Sequence, residues 1–449
     1  MPNSDRRQKD RTGQTPIHNP LPSDGRDGLR WEPYPQCASG IHTFDPQSYP
    51  LSFSPSVGAT VVQTIEDKYP GHGGSSEWHV DVRGDVILRR VDSDHDAGFD
   101  VEVLANSEDL VVSAQWDSDR QYLTLTIPRV FEWHQRLRPC IQMRVTARVP
   151  EGAELQQFQA VAVHLDISAD SDFDLKASTF ISLETVSGDV RVHDGAKLDC
   201  RSISIHTVSG DISGSLPLYD KLDIASASGD VDCQVNPHPV DESNPKPATL
   251  KVGTMSGDIR IQEPISDSKI PARNYAVDLE TYSGDINADI AASSSLVLET
   301  NSGTIRSKVL PVLDPDLHKC GNPAFTISTY SGDQKFSVLD PVWVNLPTGE
   351  NSLTQQSVHI HKERVLDCLA SSHSTISGDV DVKYPSSWSG RFSAQTVSGS
   401  LKATGKDVVV DSRISKPGLK SIKGHHYDGD SALSVAIVSR DVTILIGDE

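Results

Sequence analysis

The chain has 449 residues, 36% of them hydrophobic, with a formal charge of −21 and an isoelectric point near 5.1. That length allows two or three average domains or one elongated array, and the low apolar share suits a thin core with much surface. The acidity excludes nucleic-acid binding through a basic face, because phosphate contacts need clustered Lys and Arg, and it excludes simple electrostatic docking on anionic lipid.

Residues 1–50 are rich in Pro, Asp, Arg and Gly and show no apolar period, so they read as a disordered N-terminal segment. No apolar stretch follows Arg6, Arg7, Lys9 and Arg11, as a secretory signal would require. No run of about 18 apolar residues occurs, so no membrane span is expected. Cys37, Cys140, Cys200, Cys233, Cys320 and Cys368 are widely spaced and form no C-x-x-C. Neither a zinc site nor a dense disulfide framework is expected from them. The lack of a signal and of any Asn-x-Ser/Thr sequon leans toward a reducing, intracellular setting.

From residue 51 the pattern changes. Trp78–Val82, Val86–Val91, Phe99–Leu104, Tyr122–Ile127 and Ile141–Val149 alternate apolar and polar as half-buried strands do, with Asp, Ser and Gly between them. Residues 51–175 are therefore a β-rich section that caps or starts a repeat array. Residues 176–449 are that repeat. Ser-Gly-Asp begins at Ser187, Ser209, Ser228, Ser256, Ser283, Ser331 and Ser377, and altered copies at Ser302 and Ser398 carry Thr304 and Ser400 in third place. Consecutive copies are 22, 19, 28, 27, 19, 29, 46 and 21 residues apart, a spacing that signals a solenoid or array. The step of 46 suggests two rungs, with Thr348-Gly349-Glu350 as a worn copy between them, and Ser439-Arg440-Asp441 suggests another.

The flanks repeat as well. Thr or Ser stands two residues before each Ser, from Thr185 and Thr207 to Thr375 and Thr396. An apolar residue stands four before it, with His373 the exception, and three after it, with Gln334 the exception. Period-2 alternation on both sides of a turn describes a strand, a corner and a second strand. The expectation is an all-β, parallel β-solenoid in which Gly188, Gly210, Gly229, Gly257, Gly284, Gly303, Gly332, Gly378 and Gly399 supply backbone freedom at the corner. The Asp closes its own turn, and Ser and Thr fill the inside. Stacked hairpins would give the same local pattern, but stacking of like on like favours the solenoid.

Thr185-Val186-Ser187-Gly188-Asp189-Val190 and Thr207-Val208-Ser209-Gly210-Asp211-Ile212, with the step Val149-Pro150-Glu151-Gly152-Ala153-Glu154-Leu155 upstream, resemble the putative-adhesin domains of unknown function found in bacteria and fungi. The resemblance spans about 145–445. It implies a parallel β-solenoid and no catalytic residues.

Among candidate sites, Asp189, Asp211, Asp230, Asp258 and Asp285 share one repeat position with Asp333 and Asp379. Stacked in register, these carboxylates sit roughly 4.8 Å apart and repel by about 1 kcal/mol per pair in water. Turn hydrogen bonds offset this in one reading; calcium between rungs does so in the other. No other cofactor is expected. Gly71-His72-Gly73 resembles a tripeptide of pectin hydrolases but lacks that chemistry's companion motifs and reads as a loop. His359 with His361, and the pair His425–His426, lack a third ligand and are expected to face solvent. Arg83-Gly84-Asp85 spells a cell-adhesion tripeptide at what reads as a strand-to-strand turn.

These observations describe a non-catalytic, acidic interaction surface for a protein or polysaccharide partner, with specificity carried by insertions at 236–248, 263–275, 310–323 and 340–370. The alternatives are a carbohydrate-active β-helix enzyme, which requires two carboxylates across a groove, and a structural spacer.

Overall fold

The computed structural model describes residues 37, 41–66, 77–92, 97–132, 138–265, 270–314, 323–344 and 365–447. Its described elements are all strands, and no described helix is long and apolar enough to cross a membrane. The chain is a flattened two-sheet β-solenoid. Each rung contributes one strand to a front sheet, turns at the Ser-Gly-Asp corner, contributes one strand to a back sheet, and returns by a second, far corner.

Registers confirm the stacking of like on like. In the front sheet Thr185 pairs with Thr207, Ser226 with Thr254, Thr254 with Thr281, and Thr281 with Thr300. In the back sheet Val190, Ile212, Val231, Ile259, Ile286 and Ile305 form one parallel column. That column and its front-sheet counterpart Leu183, Ile205, Ile224, Val252, Leu279 and Leu298 are buried, so the core is two apolar walls facing each other. Parallel stacking also reaches upstream of the repeat copies. Ala153–Val161 lies between Ala59–Glu66 and Asp174–Thr185, and Asp166–Ala169 lies between Asp81–Val91 and Val190–Val192.

The two irregular members of the repeat explain each other. His373 and Gln334 break the apolar columns, and they meet in the core, with His373 Nδ1 3.3 Å from Gln334 Oε1. His373 Nε2 lies 3.3 Å from the Tyr384 hydroxyl, and Gln334 Nε2 donates to the Ser374 carbonyl at 2.7 Å. Burial pushes the His373 imidazole down to about 3, so it is neutral.

Several expectations change. The step of 46 is one rung with a long insertion: Gln334 pairs directly with Val380, and Gly378 packs on Gly332. Thr348-Gly349-Glu350 lies outside the described residues. Ser439-Arg440-Asp441 does form a corner, and its rung slots between two earlier ones: Ser431–Ser439 pairs with both Ala370–Ser377 and Gly390–Thr396. Of the segment 1–50, residues 1–36 and 38–40 lie outside the described residues. The rest is ordered, because His42–Thr43 and Gln47–Pro50 pair with Gly98–Ala105, and Cys37 is disulfide-bonded to Cys140. Arg83-Gly84-Asp85 is no turn. It lies inside the strand Asp81–Val91, paired on both sides, and Arg144 Nε holds Asp85 at 2.9 Å.

Candidate functional site

The Thr, Gly and Asp of the repeated motif each have a structural task. The Thr side chain points inward. The Thr207 hydroxyl donates to the Gly188 carbonyl of the preceding rung at 3.1 Å and accepts the Gly210 N–H of its own rung at 3.0 Å. Ser226 and Thr254 repeat this bridge. The hydroxyl thus satisfies two backbone groups that the corner would otherwise bury unpaired.

The Gly is required for closeness rather than for backbone freedom. Among the nine corner glycines only Gly399 has a positive φ, 132°. At the other eight, an added Cβ would stand 1.8–2.1 Å from the carbonyl oxygen of the rung beneath, usually that of another corner Gly. The expectation of a corner that needs unusual φ is therefore replaced by one in which consecutive rungs touch backbone to backbone.

The Asp does not close its own turn either. Its Oδ1 accepts the backbone N–H of the residue at the same place in the next rung. Asp166 accepts from Asp189, Asp189 from Asp211, Asp211 from Asp230, Asp230 from Asp258, and Asp258 from Asp285, all at 2.8–2.9 Å. Asp285 accepts from Thr304. Asp333, Asp379, Asp441 and Ser400 continue the ladder near the other end. Sequence reasoning missed Asp166, whose copy has lost Ser and Gly. Each carboxylate therefore spends one oxygen on an axial hydrogen bond. No group of three His, Cys, Asp or Glu side chains suited to a metal ion occurs among the described residues. Ser, expected inside, points out: Ser187, Ser209, Ser228, Ser256, Ser283, Ser302, Ser331, Ser377 and Ser398 are exposed.

Among the described residues the remaining histidines and cysteines form no metal-binding group. His359, His361 and Gly71-His72-Gly73 lie outside the described residues. His425 faces out and contacts Asp411 at 3.0 Å, whereas His426 is buried against the Trp388 carbonyl, contrary to the solvent-facing expectation. Cys233 is buried in the core, which pushes its thiol up to about 12.

The side chain of the residue between Thr and Ser takes no part in holding the corner. Strand alternation turns it outward. In stack order it is Val186, Val208, Ala227, Met255, Tyr282, Asn301, Tyr330, Ile376, Val438 and Val397, the order set by Ser N–H groups that bond the carbonyl of this residue one rung below and, for Val438, by the pairing of Ser439 with Ser377. Eight of these ten are large apolar or aromatic side chains and all eight are exposed, with Met255 at 63%, Tyr282 at 62% and Tyr330 at 59%. They form one line up the front sheet, roughly 43 Å long at a strand spacing of about 4.8 Å. A signal for it was present in the sequence, since the place between Thr and Ser is apolar in most copies, but it is indistinguishable there from a core position.

The line opens into a groove of about 940 Å³ over its C-terminal half. Tyr282, Tyr330, Ile376, Val397 and Val438 form its apolar strip, and Glu280, Glu299, Asn301 and Gln395 add polar groups. Glu280 and Glu299 are register partners on adjacent rungs. Burial, with the neighbouring Asp278 carboxylate, raises the Glu280 carboxyl above the usual range. The far-corner insertions lead into the opposite ends of the front-sheet strands, as 263–275 leads into Tyr275–Thr281.

Fold and face together define a parallel β-solenoid with an outward apolar ladder. Within it, residues 153–262 match the family described as Toastrack DUF4097, about a quarter of the chain and the part that holds the copies at Ser187, Ser209, Ser228 and Ser256. This supports the adhesin-type resemblance over that stretch. A solved structure described as a putative cell adhesion protein from Clostridium sporogenes ATCC 15579 aligns over 90% of this chain and 99% of its own at 6% identity, with a TM-score of 0.16. No curated protein matches the chain.

Proposed function

We propose that the protein is a non-catalytic, adhesin-like binding solenoid whose front face holds a linear polymer along the exposed ladder. One observation carries this: the residue between Thr and Ser, whose side chain takes no part in the corner, is an exposed large apolar or aromatic residue in eight of ten rungs, in register. Soluble proteins rarely leave contiguous apolar patches exposed unless something covers them. A straight groove suits a linear partner, and two Tyr rings two rungs apart, flanked by carboxylate and amide groups, suit a polysaccharide that stacks and hydrogen-bonds at regular intervals. The acidic surface then disfavours anionic polymers. The Cys37–Cys140 bond supports an oxidising setting rather than the reducing interior expected from the sequence, since disulfides persist in such compartments.

Binding of the full chain to a panel of neutral, cationic and anionic polysaccharides tests this reading. Tyr282→Ala with Tyr330→Ala should leave the melting temperature unchanged and weaken binding at least tenfold, as loss of aromatic anchors does. Equal binding by the double variant would overturn it. The enzyme reading keeps one observation in its favour, the adjacent Glu280 and Glu299. Both project from the same wall, whereas glycoside hydrolysis places its carboxylates on either side of the scissile bond. Polymer cleavage abolished by Glu280→Gln or Glu299→Gln would replace binding with catalysis.

A further inference from the structure

The ends of the solenoid differ from its body in charge and in how their edges finish. Along the body, cations are spent on carboxylates of neighbouring rungs, as in Lys176–Glu154, Lys197–Asp174, Lys251–Asp278, Arg260–Asp232 and Arg306–Asp285. Residues 401–425 break this habit. They hold Lys402, Lys406, Arg413, Lys416, Lys420 and Lys423 against Asp407 and Asp411, a net of +4 in a chain of −21. None of the six cations lies in an ion pair with a described carboxylate. They surround the last front-sheet strand, Val408–Lys416, which among the described residues pairs only with Leu419–His426 and is exposed from Val409 to Lys416. Val409, Val410 and Ile414 are exposed apolar side chains on it.

The front sheet's other edge has the opposite sign. Its terminal strand is Ser113–Asp117, paired among the described residues only with Tyr122–Pro128. Residues 107–121 around it carry Glu108, Asp109, Asp117 and Asp119 against Arg120, a net of −3, and Val111 beside it is 56% exposed.

Edge strands left open are templates for pairing, and natural proteins keep them short or charged. The back sheet follows that rule: it finishes in strands of 2, 4 and 4 residues, His42–Thr43, Gln47–Pro50 and Leu401–Thr404. The front sheet finishes in strands of 5 and 9 residues. Strand direction then decides what can meet. Every front-sheet pairing from Tyr122–Pro128 to Gly390–Thr396 is parallel. Ser113–Asp117 runs against that direction, because it is antiparallel to its neighbour. Val408–Lys416 runs with it, because two antiparallel pairings separate it from the body. A simple translation along the stack therefore brings the C-terminal edge of one copy antiparallel to the N-terminal edge of the next.

We infer that the chain associates head to tail, with the basic edge Val408–Lys416 of one copy adding to the acidic edge Ser113–Asp117 of a second. Charge selects this arrangement over the symmetric ones, since a two-fold pairing would put basic edge on basic edge or acidic on acidic. Lysines on an edge ordinarily keep it from pairing; here the matching edge carries the complementary charge. The contact is heterologous, so it does not close on itself and extends into a row of solenoids.

Sedimentation velocity on the full chain tests this. The mean mass should rise with concentration at low salt and fall to a single chain in about 1 M salt, where the screening length shrinks to about 3 Å. Arg413→Glu with Lys416→Glu and Lys423→Glu should be monomeric, as should Glu108→Lys with Asp109→Lys and Asp119→Lys. Each should melt like the wild type, and an equal mixture of the two should associate again, because their ends are then complementary. A wild-type chain that stays monomeric under all conditions would overturn the inference. So would association indifferent to salt and to both charge reversals. Binding of an anionic polymer by a strictly monomeric chain, lost in the Glu variant, would assign the basic end to that polymer instead.

Discussion

The two corners of each rung solve the same problem by opposite means. At the Ser-Gly-Asp corner most rungs use one device: a buried hydroxyl bridging two backbones, a glycine in contact with the rung beneath, and a carboxylate reaching the next amide, which Thr304 and Ser400 replace in two copies. At the far corner each rung differs. Arg273, buried, donates to Asp220 and to the carbonyls of His238 and Lys246, while Arg201 reaches Asp220 and Asp241. Tyr219 stacks on His238 at 4.1 Å. Glu263 lies buried with one oxygen accepting the Ala291 N–H. A corner made of backbone contacts must repeat to work, because each copy is its neighbour's template. A corner locked by individual side chains is free to vary in length, which is where the insertions sit.

The sharpest way to break this comparison is a methyl group. Gly229→Ala places a Cβ 1.8 Å from the Gly210 carbonyl oxygen, which only a separation of rungs can relieve. It should cost at least about 3 kcal/mol, the upper range of overpacking. Gly253→Ala, four residues before the next corner Gly in a strand with nothing within 4 Å, should change stability by less than about 1 kcal/mol. Equal effects in denaturant melts would show that closeness is not why the corner needs Gly.

The far corner and the core should be exposed by pH. Burial pushes the Glu263 carboxyl up to about 8 from an ordinary 4.5. The folded state thus favours the protonated form. Its contribution is fully present below pH 4.5 and is lost as pH rises toward 8. Glu263→Gln should remove that slope and be the more stable protein at pH 8, by a few kcal/mol at most. His373 works in the other direction. Its folded value of about 3 lies below the ordinary 6.5, so its contribution is present above pH 6.5 and drains away as pH falls toward 3. Unfolding curves between pH 3 and 8 for wild type and Glu263→Gln check both signs.

The smallest effect belongs to the Asp ladder. Asp230→Asn keeps an oxygen for the Asp258 amide and removes a like charge from the column. It should be neutral or stabilising by up to about 1 kcal/mol per neighbouring pair. The calcium reading makes the opposite prediction: the Asn variant would melt lower in calcium than in chelator-treated buffer relative to wild type. Melting curves of both proteins with and without calcium separate the two.

Much of this was legible in the sequence, and for one reason. A solenoid corner is a local motif copied in register, so nine copies with matching flanks specify the all-β class, the rung and the inward columns before any coordinates. What stayed illegible is what depends on the neighbouring rung. The sequence assigns Gly to a turn and Asp to its own backbone, because the nearest partners in sequence are the obvious ones. The actual partners are 19 to 28 residues away for Asp189 through Asp285. The pairing of His373 with Gln334, two apparent errors of the repeat, is likewise a contact between rungs.

The sequence by itself determined the parallel array, its corner and its buried columns, since alternation and repetition are properties of the chain. Only the tertiary structure decided which face each residue takes, that Ser points out, that the place beside it forms a continuous apolar ladder, and that the last rung is inserted rather than appended. Those depend on register and on stacking order. A strand's pattern says that two faces exist, and only its neighbours say which one meets water.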